Sequence, residues 1–253
     1  NLIECLNIYV LNMKMNLTRS FADQEFSLNK RFILEKPSSH HLIKVLRKKV
    51  GDEIVLFDGK GNSCLGVIYK IHRSNVEIEI TEIFKKSLKS GIEINLGQAL
   101  IKNDPFNLTI QKATELGVTS FHPLITDRSL VKIKMTKNRN LRWNLIARGA
   151  CEQCGENWLP IIEDPIKLDR WAANVKSKIK IVLSPEADNK ISDFEYKDSV
   201  SLAIGPEGDF SDYEVDSLTE KGFIPVSIGK RILRAETAAI SAISSVRFSA
   251  KEF

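Results

Sequence analysis

The chain has 253 residues, 43% of them hydrophobic and 27% charged, and carries a net charge of +5. That length allows one large domain or two modest ones, with two as the working count, and the composition excludes a disordered chain. No apolar run is long enough to cross a bilayer and the start lacks a signal-peptide layout, so a cytoplasmic protein without membrane contact is expected.

In chain order, residues Asn1 to Asn16 are apolar and Asn-rich without a clear period and read as an extension preceding the fold. From about Arg31 to Phe84 the pattern is short and β-rich. Strands are predicted over Glu53 to Phe57, Ser63 to Ile71 and Val76 to Ile83, separated by the turns Asp58-Gly59-Lys60-Gly61-Asn62 and Arg73-Ser74-Asn75. This is the pattern of a small barrel. One helix, Ser39 to Lys48, starts with serines able to cap it and carries the pair His40 and His41. Without nearby Cys or carboxylate ligands, paired histidines read as surface or capping residues, and no metal is expected.

Residues Phe84 to Gly91, rich in Lys and Ser, read as a linker, and strand and helix alternate after it. A strand is predicted over Glu93 to Leu100, then a helix capped by Asp104, with Pro105 at its first position and a stop at Gly117. Val118 to Ile125 reads as the next strand and Leu141 to Cys154 as a helix. Later strands are expected at Ile179 to Leu183, Val200 to Ile204 and Ile224 to Ile228. Ser211-Asp212-Tyr213-Glu214 is a capping box for a helix ending at Gly222, and a last helix runs from Glu236 to about Ala250 with a small-residue face suited to close packing, including a subunit contact. The βαβ alternation implies an α/β fold with a mostly parallel sheet covered on both faces.

Charge is uneven along the chain. From Arg128 to Arg148 there are seven basic residues and no acid, and Lys44, Arg47, Lys48 and Lys49 form an earlier cluster. Two separated surfaces of this kind could meet a polyanion, although each alone reads as a solvated face. Four cysteines are too few and too scattered for a disulfide scaffold, and Cys151-Glu152-Gln153-Cys154 has no second pair at zinc spacing, so a structural role is expected.

Two strand ends carry the chemistry. One hydrophobic run ends in Ile204-Gly205-Pro206-Glu207-Gly208, the other in Ile228-Gly229-Lys230-Arg231-Ile232-Leu233-Arg234-Ala235-Glu236-Thr237. Open α/β sheets bind ligands at the carboxyl ends of their strands, so both loops are expected to build one site for a small organic cofactor. The first loop precedes a helix, whose positive end suits a carboxylate or phosphate. GxxxxGK[ST], a nucleophile elbow and HExxH are all missing, and Gly59-x-Gly61 is a hairpin turn.

With His40-His41-Leu42-Ile43-Lys44-Val45-Leu46-Arg47, Gly51-Asp52, Phe57-Asp58-Gly59, Gln111 to Gly117 and Cys151 to Gly155, these loops resemble the RsmE family, the small-subunit ribosomal RNA methyltransferases that act on a uracil N3 of 16S rRNA, within the knotted SPOUT superfamily. The resemblance runs from about Leu17 to the end. It implies a PUA-like RNA-binding β-barrel over 17–86, a trefoil-knotted SPOUT methyltransferase domain over 91–253, S-adenosylmethionine as cofactor and a homodimer acting on 16S rRNA in the small ribosomal subunit. It assigns the cofactor lining to Leu183, Ser184 and Pro185, to Ile204, Gly205, Pro206, Glu207 and Gly208, and to Ile228, Gly229, Ile232 and Leu233. Candidate RNA contacts are Arg19, His41, Arg47, Arg128, Lys132, Lys134 and Arg234. This sequence departs from the pattern in having Asp209 in place of a second glycine, Ala235 in place of threonine, and Glu156 and Trp158 where basic residues are common.

Uracil N3 must lose its proton before it can attack a sulfonium methyl, and the anion spreads onto O2 and O4. A cation at those oxygens stabilises it, which gives Arg231 or Arg234 a role, with Arg231 preferred. Arginine stays protonated and is a poor base, so Glu236, Glu207 or water accepts the proton; Arg231 and Glu236 head the catalytic candidates. Two alternatives stay open, a SPOUT enzyme for a different base or a ribose 2′-OH, and a non-catalytic RNA-binding or assembly protein.

Overall fold

The computed structural model describes residues 17–89, 91–129 and 137–252, so the extension Asn1 to Asn16 and the basic residues Lys132 and Lys134 lie outside it. The described residues divide into two compact units, one drawn from the span 17–89 with 151–159, the other from 91–150 with 160–252.

The first unit holds the expected barrel as a five-stranded sheet in the order β1-β3-β4-β5-β2. Its strands are β1 (Arg19–Phe21), β2 (Arg31–Ile33), β3 (Glu53–Phe57), β4 (Ser63–Ile71) and β5 (Val76–Ile83). The three longer ones match the sequence reading residue for residue. β1 and β2, three residues each, are too short to show a period. Register shifts at Leu65/Gly66 and Ile68/Lys70 bend β4, as β-bulges do. The sheet curls around Leu42, Ile54, Leu56, Ile68, Ile78 and Ile80, all fully buried.

The helix expected over Ser39 to Lys48 is displaced and broken. A short helix α1 (Lys36–His40) carries Pro37 in its first turn and passes into a π-turn over His41–Val45, and the segment turns out at Arg47 with φ 52°. Ser39 does not cap it: the hydroxyl is buried, donates to the Leu34 carbonyl at 3.0 Å and accepts from Val76 N–H at 3.1 Å. His40 and His41 are exposed.

The second unit is built on a parallel sheet in the order β12-β10-β11-β6-β7-β8, with β9 also paired to β7. These are β6 (Glu93–Ala99), β7 (Ser120–Ile125), β8 (Ile161–Ile162), β9 (Ile166–Lys167), β10 (Ile179–Leu183), β11 (Ser199–Ile204) and β12 (Ile224–Val226). The helices are α2 (Asn103–Glu115), α3 (Lys137–Cys154), of which residues 151–154 belong to the first unit, α4 (Leu168–Asn174), α5 (Asp212–Glu220) and α6 (Ala235–Ser249). One face of the sheet packs Leu124, Val182 and Ala203 against Trp171 of α4, Leu218 of α5 and the nearby Phe223. Side chains alternate along a strand, so Leu202 points to the opposite face, where α6 packs beside α2. The small-residue face of α6, with Ala239, Ala242, Ile243 and Val246 fully buried, is consumed within the chain and is not free for a subunit contact.

Helix ends explain most boundary differences. α2 begins at Asn103 with Lys102 at its N-cap, so Asp104 sits in the first turn and is not the cap, whereas Gly117 ends the segment at φ 74° as expected. At the other end of α6, buried Arg247 donates to the carbonyls of Leu116, Ile92 and Gly117 and pairs with Glu252. The guanidinium thereby meets carbonyl acceptors and a counter-charge, the condition for burying it.

Candidate functional site

The register of the parallel sheet brings three strand exits together. β10 lies between β11 and β12, with Val182 opposite Ala203 on one side and Leu183 opposite Val226 on the other. The loops after these strands therefore leave side by side and enclose a cleft. Leu183, Ser184 and Pro185 line it from the first loop. Ile204, Gly205, Pro206 and Glu207 line it from the second, and Ile228, Gly229, Ile232 and Leu233 from the third. Arg231 lines the same cleft and is exposed to solvent. Gly208 and Glu236 stand next to lining residues without lining it themselves.

Each loop is shaped by identifiable bonds. Ser184 N–H donates to the Val226 carbonyl at 3.0 Å, which joins the first exit to the third. In the third, the Ser227 hydroxyl accepts from Gly229 N–H at 3.2 Å, and Gly229 takes φ 131°, a conformation open to glycine, with nothing near a Cβ built on it. Among the described residues the amides of Lys230, Arg231, Ile232 and Leu233 donate to no backbone carbonyl. The second loop closes through Asp209 N–H to the Pro206 carbonyl at 3.0 Å.

Asp209 accounts for the usual glycine at its position. Its φ is 59°, in the left-handed region that glycine enters freely and aspartate enters more readily than most side chains. Its carboxylate accepts from Phe210 N–H at 2.8 Å and lines the cleft. Ala235, the second departure, also lines the cleft and is buried. The positive end of α5 is not available to a ligand. Ser211 and Glu214 form the expected capping box, and the buried Glu214 carboxylate accepts from Ser211 N–H at 2.9 Å and Asp127 N–H at 2.8 Å.

Sequence reading missed Gln98. It is fully buried on β6, and its amide donates to the Gly205 carbonyl at 3.3 Å, anchoring the second loop from below. A glutamine inside the otherwise apolar end of a parallel strand was the available signal.

The other sequence candidates are scattered. The Arg19 guanidinium bonds Asn157 Oδ1 at 2.5 Å, lies over the Phe57 ring, and is held below the usual arginine pKa by burial. His41 and Arg47 are exposed, as is Arg234 at the N-cap of α6. Arg128 is exposed and its Nη1 donates to the carbonyls of Gly208 and Phe210 at 2.9 and 3.1 Å. Among the described residues Arg231 and Glu236 do not pair with each other, so Arg231 is not held as a helix cap. Cys151 is buried beneath Phe21 and Phe57, donates to the Trp158 carbonyl, and has its thiol pushed up by burial, the state of an inert structural thiol. Glu156 accepts from Asn157 and Trp158 N–H, and Trp158 covers Gly61, so both departures near the Cys-x-x-Cys segment serve packing in the first unit.

A second hollow, about 520 Å³ against about 100 Å³ for the cleft, opens at the starting ends of β6 and β11. Size would favour it, but chemistry does not. Its Asn95, Ser177 and Ser201 side chains bond one another, with Ser120 and His122 continuing the chain, and among its described lining atoms Trp171 Nε1 is buried without a partner. The cleft instead presents apolar walls, unspent loop amides and open space over Gly229. That donor set fits a purine ribonucleoside with a flexible polar tail, and so fits S-adenosylmethionine.

Two family models match the chain, an RNA methyltransferase domain over residues 88–247 and an RNA methyltransferase PUA domain over residues 34–81. The chain is 34% identical to a ribosomal RNA small subunit methyltransferase E of Buchnera aphidicola subsp. Schizaphis graminum, over 93% of this chain and 97% of that one. It is also similar to a methyltransferase from Legionella pneumophila solved with bound S-adenosylmethionine, at a TM-score of 0.89 and 34% identity over 92% of this chain and 98% of that one. A ribosomal RNA small subunit methyltransferase E from Neisseria gonorrhoeae, bound to the same molecule, gives a TM-score of 0.85 and 30% identity over 92% and 98%.

Proposed function

Since the chain belongs to the ribosomal RNA small subunit methyltransferase E family, we propose that it transfers the methyl group of S-adenosylmethionine to N3 of a uracil in 16S rRNA of the small ribosomal subunit. The observation that carries this reading is the convergence of three strand exits on a cleft with Arg231 at its solvent side. Bound there, S-adenosylmethionine supplies an electrophilic methyl on a sulfonium.

The work of the protein is then positional and electrostatic. The apolar walls, Leu183, Ile204, Val226 and Leu233, exclude water, and the loop amides orient the nucleoside. A uracil reaches the cleft only when turned out of its stack. Arg231 donates to O2 or O4 as N3 loses its proton, and its charge offsets the anion. Glu207 lines the cleft and Glu236 stands one residue from the lining Ala235, so either carboxylate, or water, is placed to take the proton.

In this reading residues 17–86 serve as the RNA-binding barrel and 91–253 as the methyltransferase domain, working in the cytoplasm. RNA contacts come from His41, Arg47 and Arg234 together with Lys132 and Lys134. The reading includes a trefoil knot, supported by the crossover that returns β12 to the side of β10 after β11, and a homodimer, supported by Ile232, 91% exposed at the cleft. Light scattering of the purified protein tests the dimer.

Purified protein with labelled S-adenosylmethionine and small subunits lacking the mark tests the activity. Nucleoside mass spectrometry is expected to show 3-methyluridine. A different methylated nucleoside would move the chain to another target. No transfer, with no calorimetric binding of S-adenosylmethionine, would leave an RNA-binding protein.

A further inference from the structure

Arg128 follows β7, and its charge invites a phosphate contact. The structure engages it elsewhere. Nη1 donates to the carbonyls of Gly208 and Phe210, the residues on either side of Asp209. Its aliphatic stem runs beside Gly208, where an added Cβ would lie 3.7 Å from Arg128 Cδ. The residue it brackets is the left-handed one, at φ 59°, and the Asp209 side chain lines the cleft. Neighbouring bonds fasten the same two segments: Asp127 N–H donates to Glu214, and the Ser211 hydroxyl donates to Asp127 Oδ2 at 3.1 Å.

A non-glycine residue at positive φ holds that conformation only when its surroundings favour it. The Gly208 carbonyl, in the peptide just before Asp209, and the Phe210 carbonyl, one peptide beyond the residue's far side, must stay turned toward a common point, and a guanidinium nitrogen is a donor able to hold both. We propose that Arg128 is a positioning residue of the cofactor loop, locking residues 205–211 in the shape that receives the cofactor, and that it is not a phosphate contact. A lysine lacks the planar fork and reproduces this only in part.

The inference rests on S-adenosylmethionine being the ligand of the cleft. Arg128→Ala and Arg128→Lys, in the full chain, are compared with wild type by calorimetry with S-adenosylmethionine and S-adenosylhomocysteine, by anisotropy with a 16S rRNA fragment across salt concentrations, and by hydrogen exchange of residues 205–211. For Arg128→Ala we expect roughly tenfold weaker binding of both nucleosides, faster exchange in the loop, RNA affinity within about twofold and an unchanged salt slope; Arg128→Lys should fall between it and wild type. Unchanged nucleoside affinity, unchanged exchange, or a salt slope smaller by about 0.7–0.9, the mark of one lost phosphate contact, would overturn the proposal. Wild-type protein that binds neither nucleoside would instead defeat the reading of the cleft.

Discussion

The two ends of the parallel sheet solve opposite problems. At the starting ends of β6 and β11, polar side chains are enclosed and bond one another, so Asn95, Ser177 and Ser201 are satisfied before any ligand arrives. At the carboxyl ends of β10, β11 and β12 the polar groups belong to the backbone, and the loop after β12 leaves the amides of Lys230 to Leu233 without backbone acceptors among the described residues and keeps open space over Gly229. A hollow is therefore a binding site in proportion to the hydrogen bonds it leaves unmade, and the larger of these two leaves fewer.

If that contrast is right, substitutions at the carboxyl end should strike chemistry and those at the starting end should strike stability. The largest effect is expected for Arg231→Ala, with methyl transfer falling about a hundredfold or more, the scale of losing one preorganised donor to a developing anion. Its melting temperature and RNA affinity should stay near wild type, because the side chain is exposed. A variant with full turnover in a single-turnover assay would remove Arg231 from the mechanism.

Next in size is Gly97→Ala on β6. A Cβ there would meet Trp171 Cη2 at 2.5 Å and Leu124 Cδ1 at 2.9 Å, and both side chains are locked in the core. Overpacking of this kind costs about 1–3 kcal/mol, read as a lower melting temperature. Cofactor affinity measured well below that temperature should change by no more than a few fold. Loss of affinity without loss of stability would blur the two ends into one site.

The sequence made the carboxyl end legible because its signals are local. Gly205 to Gly208 and Arg231 to Thr237 are contiguous, and the Ser211 and Glu214 capping box is set by spacing alone. The starting end could not be read this way. Asn95, Ser120, Ser177 and Ser201 come from four separate segments that only strand order unites, and each alone is an unremarked polar residue. The same limit hid Gln98 and made Arg19 and Arg128 look like free charges. A side chain's partner eighty or more residues away is a tertiary fact, while charge is visible at once. α1 failed for a third reason: Pro37 and the π-turn shift the helix upstream, against the capping signal of Ser38 and Ser39.

A smaller effect is expected for Ser201→Ala at the starting end. It removes the 2.8 Å bond to the Ser177 hydroxyl, which still accepts from Asn95, so the loss should be about 0.5–1.5 kcal/mol in denaturant unfolding. Methylation should not change. A substantial fall in activity at constant stability would mean that this network reaches the cleft.

The smallest effect concerns pH and isolates the starting end alone. His122 sits beside Trp171 with Nε2 2.9 Å from the Ser120 hydroxyl, and burial lowers its pKa, an effect that Glu163 opposes without cancelling. The unfolded chain therefore takes up a proton near pH 6.5 that the folded chain still refuses. Stability from this group is complete above that pH and declines as the pH falls from there toward the lower, folded value. Melting temperatures of wild type and His122→Asn compared at pH 7.5 and pH 5.5 measure it, since asparagine keeps a polar group near Ser120 but does not titrate. The wild type should lose more on acidification than the variant. Equal losses would assign the acid sensitivity to carboxylates elsewhere and leave the starting end, as built, indifferent to protons as well as to ligands.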